Sequence, residues 1–460
     1  MQLRHILANI MIALFIFGLV VVISHMLWIL GIILKTKETI LIAALLAIVI
    51  SAFIILKCPP TIKKYVLFVA YLFICIEVFL QAIAFFGLLP SVSFFYHLPY
   101  GRVYYSKEGL GNSIMNEYGW YYPSFELNAE SKKIVLIGDS YIQAVQIAPN
   151  QNIGIALQDF LNLSNQENSK TQVLSLGLSG IGPAEYLEIL AYSHKHFDPS
   201  AAVIFIFLGN DFRNTFSEIQ ANLHPETHIY YQMDENGEIY LNPDSTPALV
   251  EFRKQLQENH NPSIYTMSKT LCSYMILPQV SKTFVKSVQN ILKHGSSDNS
   301  AKLKDIHRDL QYIGIDDFIF KTPVTSHAKR AFKVTTELLL KSHQYAKAHD
   351  IELLFVTVPI FPGQFYEIHD PNTKTWNLKL GEYDFLLPEN MLADFAREKR
   401  IHILPMGQYI KKKELNPREI RRLYMNGTGH WSVMGHKFFA EAVYSYLTAN
   451  NDDLLSAATM

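Results

Sequence analysis

The chain has few cysteines and no excess of charge of either sign. Cys58, Cys75 and Cys272 are its three cysteines among 460 residues. The first two fall in or beside apolar runs, so the rest of the chain has one thiol and can form neither an internal disulfide nor a cysteine-rich metal site. With 40 basic and 41 acidic residues, the chain lacks the positive surplus that neutralises phosphates. We therefore expect no nucleic-acid partner, no cofactor and no metal.

Three stretches near the N-terminus lack charge almost completely. Residues 6–34 and 40–56 contain no Lys, Arg, Asp or Glu, and residues 65–89 contain only Glu77. Runs of this length and composition are typical of membrane-spanning helices, whereas three core helices of a soluble protein in 90 residues would be unusual. A cleaved signal peptide fits poorly, because the first run is too long and no small-residue cleavage site follows it. Residues 1–90 are predicted to be an anchor of three transmembrane helices.

The basic residues of the short loops predict the orientation of this anchor. With the N-terminus inside, the cytoplasmic side holds the larger basic set, which is Arg4, Lys57, Lys63 and Lys64. The outer side of the first hairpin then holds Lys35 and Lys37. This arrangement follows the positive-inside rule. Three crossings place everything after residue 89 outside the cytoplasm, so we expect an integral membrane protein with an extracytoplasmic C-terminal domain, periplasmic or at the cell surface in a bacterium.

Glu77 lies within the third apolar run. A carboxyl group is costly in lipid, so it is expected to face another helix or to be protonated. Two interpretations stay open. Glu77 either has a functional role, in proton or acyl handling or in a partner contact, or is hydrogen-bonded to a neighbouring helix.

Residues 91–130 form an aromatic-rich connecting segment. Tyr, Phe and Trp recur through it, for example in residues 96–100 and 118–123. Such a composition does not suit a flexible linker. The segment is expected to pack on the next domain or to lie at the membrane interface, where Tyr and Trp are favoured.

From residue 131 the pattern alternates between strands and helices. Apolar runs lie at 133–138, 172–177 and 201–208, and the first two are followed by segments with helical spacing, from Ser140 to about 163 and from Pro183 to about 196. The alternation resumes with a helix at 326–349, strands at 351–358 and 401–404, and a last helix at 433–447. Strand–helix alternation predicts an α/β fold with a doubly wound parallel sheet. We place this domain at 131–450.

Residues 212–325 break the alternation and are interpreted as an insertion at the carboxyl edge of the sheet. Asn236-Gly237 lies between two short strand-like runs, which predicts a hairpin with a type I′ turn. An insertion at this edge could cover or shape a site.

Distinctive residues follow the first three strands. Ser140, Gly177 and Asn210 lie at the strand ends, and His430 lies just before the last helix. Serine-based ester hydrolysis needs a nucleophile, a base within hydrogen-bond reach and donors for the oxyanion. Ser140 and His430 could be nucleophile and base. The backbone N–H groups of Ser140 and Gly177 and the side-chain amide of Asn210 could form the oxyanion hole.

These residues resemble the blocks of the SGNH (GDSL-type) hydrolase and acyltransferase superfamily. The matches are Gly138-Asp139-Ser140, Gly177 in Leu-Gly-Leu-Ser-Gly, Gly209-Asn210-Asp211, and His430. They occur in the family's order, and the resemblance covers roughly 115–213 and 326–447. It implies a flavodoxin-like, three-layer fold in which Ser140 is the nucleophile and His430 the base.

The sequence departs from the family at one position. The family usually has an aspartate three residues before the histidine, to orient the imidazole, but this position is Gly427 here. A backbone carbonyl or Asn426 could orient the ring instead, which would give a Ser–His dyad. Alternatively, the site has lost activity. Losing the acid of a Ser-His-Asp triad lowers turnover by up to about 10⁴.

The sequence therefore predicts a membrane-anchored serine enzyme of acyl esters acting outside the cytoplasm. It would be an esterase or deacetylase if the acyl acceptor is water, and an O-acyltransferase if the acceptor is a sugar hydroxyl. Similar membrane-tethered domains imply an envelope carbohydrate as substrate. Three helices are too few for an acyl conduit, so a transferase would need a separate membrane acyl-donor protein. The alternative is a weak or inactive SGNH module that binds glycan or serves as an envelope-assembly scaffold.

Overall fold

The structure is a computed structural model that describes residues 9, 49–50, 52–89, 93–95, 97–125, 131–164, 170–215, 228–277, 280, 317–360, 384–425 and 429–449. The chain divides into two compact units. The first comprises Met1–Val92 and Cys272–Asp298, and the second Ser93–Leu271 and Asn299–Met460. The stretch interpreted as an insertion is therefore shared between the two units. The domain boundaries drawn from the sequence stay predictions.

The first unit contains helix α1 (Pro60–Phe85), which begins with proline at a position where no backbone donor is needed. Among the described residues, α1 is the one helix long and apolar enough to cross a membrane. Its large apolar side chains are mostly exposed, including Tyr65, Phe68 and Phe79. The predicted span at 6–34 lies outside the described residues apart from Asn9, and the span at 40–56 is described only in part. The three-helix anchor therefore stays a prediction.

The aromatic-rich segment opens the second unit as a small antiparallel sheet. Its strands are β1 (Ser93–Phe95), β2 (Arg102–Tyr105) and β3 (Gly111–Ile114), in the order β1-β2-β3. Past β3, the Tyr121 hydroxyl donates to Ile147 O at 2.9 Å, and the Tyr122 hydroxyl donates to Val173 O at 2.8 Å. The described part of this segment therefore packs on the following α/β domain, one of the two positions that its composition favours.

A five-stranded parallel sheet forms the centre of the second unit. The remaining strands are β4 (Lys132–Gly138), β5 (Thr171–Gly177), β6 (Ala201–Phe207), β7 (Tyr231–Met233), β8 (Ile239–Leu241), β9 (Glu352–Val358) and β10 (His402–Leu404). The sheet order is β10-β9-β6-β4-β5, with Gly138 opposite Gly177 and Phe207 opposite Val358. With its strands counted along the chain this is the order 2-1-3-4-5 of flavodoxin-like folds, in which ligands bind at the carboxyl edge.

Helices cover both faces of this sheet. The helices after β4 are, in chain order, α2 (Ser140–Gln143), α3 (Ile153–Ser164), α4 (Pro183–Phe197), α5 (Asp211–Thr215), α6 (Thr246–His260), α7 (Ile264–Ser273), α8 (Ser326–Ala348), α9 (Leu387–Lys399), α10 (Met406–Lys412), α11 (Pro417–Arg422) and α12 (Val433–Ala449). Successive residues of β4 point to opposite faces. Ile137 packs in the same core cluster as residues of α4, α8 and α9, and Leu136 packs with residues of α3 and α12. The predicted doubly wound α/β fold is confirmed.

The hairpin β7–β8 forms where the sequence predicts it, but its turn differs. A type I′ turn needs positive φ at both central residues. Here Gly237 has φ 82°, and Asn236 is not among the residues with positive φ. The Asp234 carboxylate accepts the N–H groups of Asn236 (2.9 Å) and Glu238 (2.8 Å), and Asp234 N–H donates to Glu238 O at 3.0 Å, so the strands are joined by a three-residue loop that ends in Gly237. The type I′ prediction was wrong because an aspartate two residues earlier supplies the acceptor.

Candidate active site

Ser140 lies where β4 ends at the carboxyl edge of the sheet. Asp139 caps α2, its Oδ1 accepting the N–H of Tyr141 at 2.9 Å. The helix stops after one turn because Ala144 adopts φ 56°. The predicted helix from Ser140 to about 163 is thus interrupted, and α3 begins only at Ile153. The short α2 presents the serine at the edge instead of burying it along a long helix.

His430 contacts Ser140 directly. Its Nε2 is 2.8 Å from Ser140 Oγ. The backbone around the histidine is held like a strand, since Tyr424 pairs with Trp431 and Met425 N–H donates to His430 O at 2.7 Å. The Tyr141 ring lies with its centroid 4.9 Å from the imidazole. The structure thus brings together two residues 290 positions apart in the chain.

Glu108 supplies the acid that the sequence lacks in the residues just before the histidine. Its Oε2 lies 2.5 Å from His430 Nδ1 and also accepts the backbone N–H of His430 at 3.2 Å. With Nδ1–H donating to the carboxylate, Nε2 is free to accept the serine proton. The arrangement is Ser–His–Glu, so the Ser–His dyad expected as one option was wrong. Asn426, the predicted alternative partner of the ring, lies outside the described residues.

Three glycines allow Glu108 to reach the histidine. Glu108 belongs to the loop between β2 and β3. A Cβ on Gly109 would lie 2.4 Å from Gln146 O, and one on Gly111 would lie 1.7 Å from Val145 O, so both positions need the absence of a side chain. Opposite them, a Cβ on Gly429 would lie 2.9 Å from the Glu108 carboxylate. Close approach of backbone to backbone is a common reason for glycine.

Charge and burial act on the carboxyl groups of the site in opposite directions. Burial alone raises the pKa of Glu108, but the hydrogen bond and charge of His430 outweigh it, and the net pKa is lowered. Burial raises the pKa of Asp139, partly offset by its bond from Tyr141 N–H. Glu108 is therefore the carboxyl group held as an anion beside the imidazole.

Gly177 lies at the end of β5, next to the serine's strand. A Cβ there would lie 2.1 Å from the backbone nitrogen of Gln143, so this glycine is needed for α2 to pack on β5. Leu178 N–H donates to Gly138 O at 3.1 Å. Because successive N–H groups of a strand point to opposite sides, the N–H of Gly177 is directed away from β4. Its part in an oxyanion hole stays a prediction.

The loop after β5 is attached to α2. The Gln143 side-chain oxygen accepts the N–H of Ser179 at 3.0 Å and also the Ser179 hydroxyl. Gly180 follows at φ 79°, with open space where a side chain would be. This loop therefore places exposed backbone beside the nucleophile's own helix.

Asn210 follows β6, on the other side of β4. Its backbone carbonyl accepts the N–H of Asn214 at 2.9 Å, and its side-chain Oδ1 is buried without a hydrogen-bond partner among the described residues. Asn210 thus lies at the predicted edge, and its role stays a prediction. Among the described residues no group of three or more His, Cys, Asp or Glu could hold a metal ion.

Glu108 is the site residue that sequence analysis missed. It is 322 positions from His430 and lies in the segment interpreted as a connector. The nearest signal was a single acid followed by Gly109 and Gly111, a pattern with no intrinsic link to a histidine so far away.

No family model and no curated protein matches the sequence. Solved structures do align with it. The alignment with the structure of TesA has 12% sequence identity and a TM-score of 0.31, and it covers 69% of this chain and 99% of the TesA chain. A lipolytic protein of the G-D-S-L family from Desulfitobacterium hafniense is 10% identical, with 69% and 100% covered and a TM-score of 0.30. An acetyl xylan esterase, AlAXEase, is 11% identical, with 68% and 99% covered and a TM-score of 0.31.

The fold assignment rests on features of this chain itself. The sheet has the flavodoxin-like order, and the predicted blocks lie at its carboxyl edge. Ser140, His430 and Glu108 meet there in hydrogen-bond contact. The second unit thus has the fold of the SGNH (GDSL-type) hydrolases.

Proposed function

We propose that the protein is a serine hydrolase of acyl esters. The observation that carries this proposal is the relay from Ser140 Oγ to His430 Nε2 (2.8 Å) and from Nδ1 to Glu108 (2.5 Å). Nucleophile, base and orienting acid within this reach form the arrangement that activates serine. The alternative of an inactive scaffold drew on the missing acid at Gly427, and Glu108 removes that ground.

The residues have defined roles in the reaction. His430 Nε2 takes the Ser140 proton as Oγ attacks the acyl carbonyl carbon, and Glu108 stabilises the imidazolium. The tetrahedral intermediate then collapses. The ester C–O bond breaks, and His430 returns the proton to the leaving alkoxide. Water, deprotonated by the same histidine, attacks the acyl-serine; the acyl C–Oγ bond breaks, the acid leaves, and His430 returns the proton to Ser140 Oγ.

Donors at the sheet edge stabilise the oxyanion. The proposed donors are the N–H of Ser140, which follows β4, and the side-chain amide of Asn210, which follows β6. The third proposed donor is a backbone N–H of the segment that begins at Gly177, in which Gly180 is exposed with open space where a side chain would be. Each oxyanion donor contributes about 10²–10³ in turnover in related chemistry.

The finer predictions belong to the same proposal. The chain is anchored in the membrane through α1 and the preceding apolar runs, and its hydrolase unit works on the extracytoplasmic side. An acylated envelope carbohydrate is the proposed substrate. If a sugar hydroxyl replaces water as acyl acceptor, the enzyme is an O-acyltransferase and requires a separate membrane protein as acyl donor.

The test is covalent labelling and turnover in the full-length protein in detergent or lipid. A fluorophosphonate should label wild type, and the label should be lost in Ser140→Ala and strongly reduced in His430→Ala. Hydrolysis of p-nitrophenyl acetate should follow the same pattern. Ser268→Ala, which removes an exposed serine hydroxyl on α7, is the matched control and should label like wild type.

Two results would contradict the proposal. One is labelling that persists in Ser140→Ala, which would place the reactive nucleophile elsewhere. The other is a folded wild-type protein that neither labels nor turns over any short-chain ester, which would favour the scaffold alternative.

A further inference from the structure

Helix α7 is amphipathic, but its polar face is buried and its apolar face is exposed. It buries its small polar side chains, since Thr266, Thr270 and Ser273 are at most 3% exposed. The Thr270 hydroxyl donates to Pro99 O at 2.9 Å, which fixes the polar face against the protein.

The apolar side chains of α7 and the residue after it point outward. Ile264 is 91% exposed and Leu271 is 71% exposed, with Met267 and Tyr274 partly exposed on the same stripe. Spacings of three and four residues place all four on one helix face. The helix thus packs its threonines against the protein and exposes its leucine and isoleucine. Such an exposed face suits an apolar environment better than water.

The turn that follows α7 is bound to Glu77 of α1. Glu77 Oε1 accepts the N–H of Ile276 at 2.7 Å, and Oε2 accepts the N–H of Leu277 at 2.9 Å. One turn further along α1, the Gln81 amide donates to Glu77 Oε1 at 2.7 Å and to Tyr274 O at 2.6 Å. Both oxygens of the Glu77 carboxyl group thus accept backbone N–H groups. Such hydrogen bonds are strongest when the acceptor is ionised.

The position of Glu77 on α1 gives the depth of this contact. Glu77 is eight residues before Phe85, or about 12 Å along a helix that is about 39 Å long. If α1 is centred on a hydrocarbon core of about 30 Å, Glu77 lies about 7 Å inside the boundary. A backbone N–H at that depth must be hydrogen-bonded within the protein. Glu77 and the N–H groups of Ile276 and Leu277 satisfy each other.

We propose that α7 lies in the membrane interface with its Ile264–Leu271 stripe in lipid, and that residues 274–277 enter the bilayer and are held there by Glu77 and Gln81. The occupant of the stripe is the lipid surface. This inference rests on the proposed membrane anchoring. It makes Glu77 a docking residue for the chain's own turn and not a carrier of protons or acyl groups.

Hydrogen exchange of the full chain in lipid nanodiscs tests the docking contact. The amides of Ile276 and Leu277 should be protected in wild type. Glu77→Ala should raise their exchange by about one hundredfold, a factor of about ten for each bond to the charged acceptor. Glu77→Gln, which keeps an acceptor without charge, should lie between the two. Glu251→Ala, a change of an exposed glutamate on α6, should leave these amides unchanged. Wild-type exchange in Glu77→Ala would overturn the contact.

Quenching by lipid tests the apolar stripe. In a background with the three native cysteines replaced by serine, a fluorophore on Leu271→Cys should lose most of its emission in nanodiscs that contain doxyl-lipids. The same fluorophore on Val250→Cys, an equally apolar and 59% exposed position on α6, should lose none. Equal quenching at the two positions would overturn the proposal. Protection of position 271 from both doxyl-lipid and aqueous iodide would do so too, because it would indicate a second copy as the occupant.

These outcomes are separable from the enzymatic proposal. Fluorophosphonate labelling of Ser140 is measured on each variant and should equal wild type. Carbonate extraction tests the anchor separately, since release of the wild-type chain would contradict anchoring itself.

Discussion

At the scale of single residues, the site depends on how both ring nitrogens of His430 are used. Nε2 is engaged by Ser140 Oγ, and Nδ1 by the Glu108 carboxylate. A neutral imidazole has one donor and one acceptor nitrogen, so the partner of Nδ1 decides whether Nε2 can accept a proton. Glu108 therefore affects catalysis in two ways: it fixes the tautomer of His430, and its charge stabilises the imidazolium.

Replacing Glu108 by glutamine should slow catalysis far more than it weakens binding. The amide can also donate to Nδ1 and so favour the wrong tautomer, and the comparable change in a Ser-His-Asp triad costs about 10⁴ in turnover. We expect kcat for a short-chain ester to fall by about 10²–10⁴ with little change in KM. Glu235→Gln, an exposed control on the β7–β8 turn, should behave like wild type. A Glu108→Gln enzyme with wild-type kcat would show that the acid is dispensable.

The same pair predicts a pH dependence of stability. The pKa of Glu108 is lower in the folded protein than its ordinary value of 4.5, so the native state binds fewer protons than the unfolded state in this range. The contribution of Glu108 is therefore complete above about pH 4.5 and is lost as the pH falls through the lowered pKa. Thermal unfolding of wild type and Glu108→Gln from pH 6 to pH 3 should show their difference shrinking on acidification. A constant difference would contradict the coupling.

Gly429→Ala should act through Glu108. The added methyl would lie 2.9 Å from the carboxylate, which must then move away from His430. We expect a fall in kcat with a small change in melting temperature, and little further loss when Gly429→Ala is added to Glu108→Gln. Changes that act through a shared partner are non-additive. Full additivity of the two losses in a double-mutant cycle would show that the glycine acts elsewhere.

At the scale of elements, the one-turn helix α2 joins the parts of the site. Ser140 begins it, and its backbone at Gln143 lies against Gly177 of β5. Its last side chain, Gln143, is bonded to Ser179 of the following loop. A glycine at the end of a strand is here a packing requirement of the neighbouring helix.

Gly177→Ala should therefore lower stability as well as activity. Its methyl would lie 2.1 Å from backbone atoms that cannot rotate away, so α2 must shift. Overpacking of this kind typically costs about 1–3 kcal/mol. Differential scanning calorimetry should show a lower melting temperature, whereas Lys170→Ala, at an exposed position just before β5, should not. An unchanged melting temperature would mean that α2 moves freely.

At the scale of the whole molecule, the surroundings of two histidines, His97 partly buried and His436 fully buried, disfavour the charged ring. Burial lowers the pKa of His97 to about 4. Burial, with a smaller contribution from the charge of His430, lowers the pKa of His436 to about 3. The ring nitrogens of His436 have no hydrogen-bond partner among the described residues, and the ring packs beside Trp431. Either ring therefore binds a proton more readily in the unfolded state than in the folded state.

The fold should accordingly weaken in mild acid. Between the ordinary histidine pKa of about 6.5 and the lowered folded value, the unfolded state binds more protons, so stability falls as the pH falls. For His436 the loss from pH 6.5 to pH 5 is about 2 kcal/mol. His436→Leu should flatten the pH dependence of the melting temperature in this range, and an unchanged slope would contradict a neutral buried ring.

The sequence by itself determined the local features of this protein. Continuous apolar runs and helical spacing predicted the parallel sheet and its helices, because strands buried on both faces, such as β6 and β9, are apolar along their whole length. The position of Ser140 after a strand predicted that it lies at the edge of the sheet, since parallel strands deliver their last residues to one edge. The family resemblance predicted His430 as its base. These features are readable because each depends on neighbours in the chain.

Only the tertiary structure decided which distant groups meet. Glu108 reaches His430 through a loop of the small antiparallel sheet, and Glu77 meets the turn after α7. Neither contact leaves a pattern in the sequence, because a single carboxylate needs no periodicity and its partner lies about two or three hundred residues away. The missing acid before His430 was a real local absence, and the fold supplied the carboxylate from elsewhere in the chain.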